Sequence, residues 1–200
     1  MFFATWETYT LRANFKELYI QSITLKKEPS NYTLELIKNN TFLRLNGTLD
    51  LGVSSEVNLL LLKYPEVKGI VLNSRGGILY EGRSLAKLIR ERKLNTYSLK
   101  KCSSSCVIAF VSGEKRYMGV NSKLGFHQPH HDLDSEAKIM ISEEDIKRTY
   151  EEYSLEFKNS SVNKDFIPRM FDAPSKDMWY PQINELIDAN VVHEVIKSIE

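Results

Sequence analysis

Cysteine is nearly absent from this chain: there are two, Cys102 and Cys106, four positions apart. Two thiols are too few for a structural zinc site. A disulfide between them would close too small a loop to add much chain-entropy stabilisation. Long apolar runs are missing as well. None approaches the ~20 residues of a membrane-spanning helix; residues 59–62 and 107–111 are core-sized. Neither sign of charge dominates, since 27 basic residues face 26 acidic ones for a net charge of +1. Lys and Arg form no stripe, which argues against nucleic acid as a partner. The opening Met1-Phe2-Phe3-Ala4-Thr5-Trp6 lacks the basic and then apolar regions of a signal peptide. Neither the dinucleotide-binding GxGxxG nor a P-loop is found, and HExxH is absent.

What is present fits one globular domain. Two hundred residues with 42% apolar and 26% charged content can bury about 70% of the unfolded surface. Residues 1–16 have weak periodicity and read as an N-terminal arm; residues 17–200 read as one domain. A strand is expected over 18–25. Residues 32–37 and 41–45 alternate around Asn39-Asn40, a hairpin signal. Ser54-Ser55-Glu56 can cap a helix with Val57, Leu60 and Leu61 on one face. Residues 67–72 form a short, nearly all-apolar strand, as expected of one covered on both faces. A helix with Leu79, Leu85, Leu88 and Ile89, a strand over 96–99, a helix over 104–112 and strands at 117–118 and 123–126 follow. A helix over about 142–158 carries Ile146, Tyr150, Tyr153 and Phe157 on one face. Short helices near 166–171 and 182–187 and a strand over 191–196 close the chain. Strand–helix alternation from 52 to about 126 implies an α/β fold with a largely parallel sheet.

Four stretches can carry chemistry. In Cys102-Ser103-Ser104-Ser105-Cys106 a serine precedes an apolar helix. There it lies beside free N–H groups and the positive end of the helix dipole, which suits a nucleophile and a developing oxyanion. A plain polar cap beside a disulfide or two buried thiols is the alternative. Arg75-Gly76-Gly77 follows a buried strand, and its N–H groups can meet an anion or form an ordinary tight turn. His127 ends a strand that would orient it. A metal set of His127, His130 and His131 with Asp132 or Asp134 is a weaker reading, because Pro129 breaks helical spacing. Asp177 lies among apolar and aromatic residues, where a carboxylate needs a partner. It either meets a histidine N–H or caps a helix before Trp179.

Taken together, Asn73-Ser74-Arg75-Gly76-Gly77, Cys102-Ser103-Ser104-Ser105-Cys106 and Gly125-Phe126-His127-Gln128-Pro129 resemble the Clp-type serine peptidases of the ClpP/crotonase fold over about residues 40–197. They look more closely like bacterial relatives, often predicted to be periplasmic, with a C-x-S-x-C nucleophile motif. The resemblance implies a spiral of ββα units with a largely parallel sheet flanked by helices. It implies Ser104 as nucleophile, His127 as general base and Asp177 as orienting acid, in the order Ser…His…Asp. It implies the N–H groups of Gly77 and Ser105 as oxyanion hole, with Gly76 and Gln128 binding substrate. A Cys102–Cys106 disulfide would fix the geometry around Ser104. No metal or other cofactor is called for. The partners implied are a peptide or protein substrate and further copies of the chain, in a periplasmic or membrane-associated setting. Two alternatives remain: a peptide-binding module without activity, and a crotonase-type acyl-thioester enzyme. Arg75 stands where the family usually has proline. Residues 132–176 lack the family's handle sequence, so neither its ring nor a partner ATPase is carried over.

Overall fold

In the computed structural model the chain divides into two units, Met1–Ser30 and Asn31–Glu200. The structure describes residues 30–129 and 143–199. The expected arm over 1–16 and strand over 18–25 lie outside the described residues, as do His130, His131, Asp132 and Asp134.

Alternation in the sequence becomes a hairpin: β1 (Tyr32–Ile37) pairs antiparallel with β2 (Phe42–Gly47). Its loop holds Lys38, Asn39 and Asn40 at φ 52°, 52° and 63°, a region asparagine tolerates better than most residues. Then come α1 (Val53–Lys63), β3 (Gly69–Asn73), α2 (Leu79–Glu91), β4 (Asn95–Ser98) and β5 (Lys101–Ser103). These lead into α3 (Ser105–Val111), β6 (Arg116–Gly119) and β7 (Lys123–Gly125). The C-terminal part holds α4 (Glu143–Asn159), α5 (Phe166–Arg169), α6 (Ile183–Asp188) and β8 (Glu194–Ile196).

Six strands form one sheet in the order β1-β2-β3-β4-β6-β8, parallel except for the hairpin. Strands β5 and β7 make a second, parallel sheet. The two sheets share their strand lines. β4 stops at Ser98 and β5 starts at Lys101; β6 stops at Gly119 and β7 starts at Lys123. Just past the end of β3, Ser74 bridges Cys102 of β5. The neighbour order of the large sheet thus continues beyond a bend. There it gains Leu49 bridged to Gly77 on one side and Trp179 bridged to Phe126 on the other.

Side chains alternate along a strand, which sets the core. Leu43, Leu45, Ile70 and Leu72 turn to the face where Val57, Leu61, Leu85 and Ile89 of α1 and α2 pack. Phe42, Val71 and Tyr97 gather separately on the other face. Every residue of α3 is buried, and Val107 to Val111 are each 0% exposed. On α4, Tyr153 and Phe157 are buried and Tyr150 is half-buried, while Ile146 is outside the packed face. Ion pairs Arg83–Glu152 and Arg90–Glu156 tie α4 to α2.

Three local features differ from expectation. Helix α1 is capped from across the chain rather than by its own serines. The buried Glu81 carboxylate accepts the N–H groups of Gly52 at 2.8 Å and Ser54 at 2.9 Å. Burial alone would raise the Glu81 pKa, but hydrogen bonds from the Ser54 side chain and the Gly52 and Ser54 amides bring it below 4.5. The last strand begins only at Glu194, because the carbonyls of Asn190 and Val191 face the buried Arg116 guanidinium instead. Finally, residues 101–103 form a strand of their own.

Candidate active site

Beyond the bend, the four stretches singled out above lie on adjacent chain segments. Ser104 N–H donates to Gly125 O at 2.9 Å, two residues before His127. A Cβ built on Gly76 would lie 2.7 Å from both Ser103 O and Ser104 Cβ. With φ at 98°, Gly76 is a position only glycine fills without displacement. The Phe126–Trp179 bridge is closed by two backbone bonds, 2.9 and 2.8 Å. It brings Asp177, two residues upstream of Trp179, to the His127 end of β7.

The three serines separate by what their hydroxyls do. Ser103 is 0% exposed, packed toward Gly125, and its Oγ has no partner among the described residues. Ser105 Oγ donates to Gly77 O at 3.1 Å. Ser104 is half-buried and caps α3 by position, yet its side chain makes no capping bond. Its backbone holds φ 56° and ψ −133°, a conformation that non-glycine residues keep only when the surroundings enforce it. The enforcing contacts are the bond to Gly125 O, a bond from Val107 N–H to Ser104 O at 2.9 Å and one from Tyr153 Oη to Ser104 O at 3.3 Å. Cys102 and Cys106, both 0% exposed, form a disulfide with Cα atoms 5.3 Å apart and so bracket the turn.

Two amides face this turn. Gly77 lies in a parallel bridge in which Leu49 N–H donates to Gly76 O and Ile78 N–H to Leu49 O. Ladder geometry then directs the Gly77 N–H and C=O to the opposite side, where Gly77 O meets Ser105 Oγ. The N–H of Ser105 is an orphan donor of the helix start. Among the described residues, neither amide donates to a partner. Two free donors beside a half-exposed hydroxyl can stabilise an oxyanion.

His127 and Gln128 are half-buried. Gln128 holds a neighbouring segment: its backbone N–H reaches Ala173 O at 2.9 Å and its Nε2 reaches Phe171 O at 3.0 Å. Asp177 is exposed, and its Oδ1 accepts the Met178 N–H at 2.7 Å. No helix follows at Trp179, so Asp177 is not a helix cap. The bond shown for the Asp177 carboxylate among the described residues is thus to Met178 rather than to His127. Arg75 is exposed at the start of the Gly-Gly turn.

No group of three or more His, Cys, Asp or Glu residues gathers as a metal site would, among the described residues. Nor is any described helix long and apolar enough to cross a membrane. Sequence reasoning assigned no role to Tyr153 beyond the core. Its contact with Ser104 O comes from helix placement, which no local pattern announces.

No family model matches this chain, and no curated protein does. Solved structures do. The ClpP1 protein of Listeria monocytogenes superposes with a TM-score of 0.64 at 18% identity, covering 80% of this chain and 92% of that one. A single-substitution mutant of the same protein gives 0.64 and 18%, covering 79% and 92%. The chain therefore has a ClpP-like α/β fold, with a mostly parallel sheet flanked by helices.

Proposed function

We propose that this protein is a serine peptidase that cleaves peptide or protein substrates through an acyl-enzyme. Ser104 Oγ attacks the scissile carbonyl while His127 takes its proton. The Gly77 and Ser105 N–H groups hold the oxyanion. His127 returns the proton to the leaving amine, and a water activated by the same imidazole then hydrolyses the ester. Asp177 orients the imidazole, closing on it in the substrate complex; contacts of this kind are often loose in a resting enzyme. The substrate lies near the Gly76-Gly77 strand end, with Gln128 beside it. No cofactor takes part.

The observation that carries this reading is the sorting of the serines. Of the three, only Ser104 combines partial exposure, an enforced backbone and a hydroxyl left out of capping, next to two amides unengaged among the described residues. The ClpP-like fold supports it. A fluorophosphonate probe is expected to label the wild-type chain and not Ser104→Ala, since loss of a triad nucleophile typically removes ~10⁴-fold or more of the rate. Equal labelling of the two proteins rejects Ser104 as nucleophile.

A second reading has one observation in its favour: Asp177 is exposed and engaged with Met178 N–H. A peptide-binding module without turnover fits that arrangement. It predicts peptide binding that His127→Ala leaves unchanged and no labelling of the wild type. In either reading the chain acts as a homo-oligomer, for which the exposed Leu51, Leu59 and Leu62 supply apolar surface. The Cys102–Cys106 bond suits an oxidising compartment.

A further inference from the structure

We infer that Tyr153 is a positioning residue whose hydroxyl aims the Ser105 N–H at the oxyanion. This deepens the peptidase reading and rests on it.

Tyr153 is 4% exposed, and its hydroxyl donates to Ser104 O at 3.3 Å. That oxygen belongs to the peptide joining Ser104 to Ser105. A trans peptide is planar, with C=O and N–H pointing in opposite directions. A group that fixes Ser104 O therefore fixes the direction of the Ser105 N–H. Val107 N–H holds the same oxygen from inside α3. Tyr153 holds it from a different element, so the peptide plane is gripped from two sides.

The grip has purpose because the turn is under strain. Ser104 sits at φ 56° and ψ −133°, and such a peptide relaxes by rotation unless its neighbours prevent it. Helix α4 is well placed to prevent it. Glu152 and Glu156, on either side of Tyr153, pair with Arg83 and Arg90 of α2. The Tyr153 ring stacks on Phe157 with centroids 5.4 Å apart and meets Phe171 edge-on at 5.5 Å. Phe171 O in turn accepts Gln128 Nε2, one residue past His127. One tyrosine thus sits between the nucleophile turn and the histidine segment. A phenylalanine would fill the same space, so the hydroxyl is the part packing does not require. Burial pushes its pKa up, which keeps it a donor throughout the working range.

The test compares the full-length wild type with Tyr153→Phe and Ser104→Ala. Tyr153→Phe keeps the ring contacts and leaves Ser104 O with its Val107 N–H. Its limiting rate of fluorophosphonate labelling is expected to fall about tenfold, short of the ~10²–10³-fold for deleting an oxyanion donor. The half-saturating probe concentration should stay within about twofold, the mark of an interaction made only in the transition state. The Ser105 amide resonance should move and its hydrogen exchange should quicken, with the melting temperature nearly unchanged. A role in packing alone would lower the melting temperature and leave the labelling rate of the folded protein intact. An unmoved Ser105 amide overturns the inference whatever the rate. If the wild type is labelled no faster than Ser104→Ala, the peptidase reading has failed. The Ser105 amide then decides separately whether Tyr153 orients that peptide.

Discussion

The two sheets of this protein share strand lines and differ in almost everything else. In the large sheet, β2, β3 and β4 pair in continuous register, and their side chains close a core in which Leu43, Leu45, Ile70 and Leu72 are fully buried. In the small sheet, three residues of β5 pair with three of β7. Next to them stand a strained Ser104 and, among the described residues, a buried Ser103 hydroxyl without a partner and two amides without an acceptor. Each of these is unfavourable for folding. Together they form the cluster on which the proposed chemistry rests. The lesson is a division along the strand: before the bend the chain accumulates stability, and after it the chain uses some of that stability to hold strained geometry.

That contrast can be broken from either side. The largest effect is expected on the small sheet. Gly76→Ala places a methyl 2.7 Å from Ser104 Cβ and from Ser103 O. Displacing the nucleophile turn by that much should reduce the labelling rate by at least ~10³-fold. The melting temperature should fall only modestly, as for a strained residue of about 1–2 kcal/mol. Labelling at the wild-type rate would show that the turn tolerates movement and that the division is false.

The next largest effect belongs to the large sheet. Arg116 is 4% exposed, and its guanidinium donates to four carbonyls among the described residues: Val191 at 3.0 Å, Asn190 at 2.6 Å, Val111 at 3.3 Å and Gly113 at 3.5 Å. Burial lowers its pKa to about 10, still far above neutral pH, so it remains a cation. Arg116→Met should cost about 3 kcal/mol in a denaturant titration, because several buried acceptors lose their donor. The fraction that stays folded should label at nearly the normal rate.

The smallest effect is a dependence on pH. Glu81 has its pKa lowered below 4.5 despite burial. A carboxyl depressed in the folded state stabilises above its unfolded pKa, and that contribution is lost as pH falls through the folded value. Wild type should therefore exceed Glu81→Gln by about 1–2 kcal/mol at neutral pH, and the gap should close in acid below pH 4.5. A gap that persists or widens there would assign the Glu81 contribution to packing rather than to its charge.

The sequence made some of this legible and hid the rest for physical reasons. Period-2 alternation marked the hairpin, and apolar runs marked β3 and α3, because burial imposes a local pattern. The Gly-Gly pair was readable as a turn, and its cause is now clear in the approach of Ser104 to Gly76. The choice among Ser103, Ser104 and Ser105 was not readable. It depends on where each hydroxyl finds an acceptor, and Ser105 finds Gly77 O from 28 residues away. The cap on α1 was hidden for the same reason, since Glu81 reaches Ser54 across 27 residues. The break between β4 and β5 was missed because no proline or glycine marks Leu99-Lys100. Asp177 shows the limit of order and spacing, which bring it near β7 but leave the direction of its carboxylate to loop geometry.

Arg116 has one more consequence, and it concerns when the protein can form rather than how it works. Its guanidinium binds the carbonyl end of α3, the helix whose other end carries Ser104, to Asn190 and Val191. This clamp therefore closes only once residues 190 and 191, more than 70 positions further along the chain, have joined the fold. Such distant partners carry a loop-closure cost that the helix's own bonds do not.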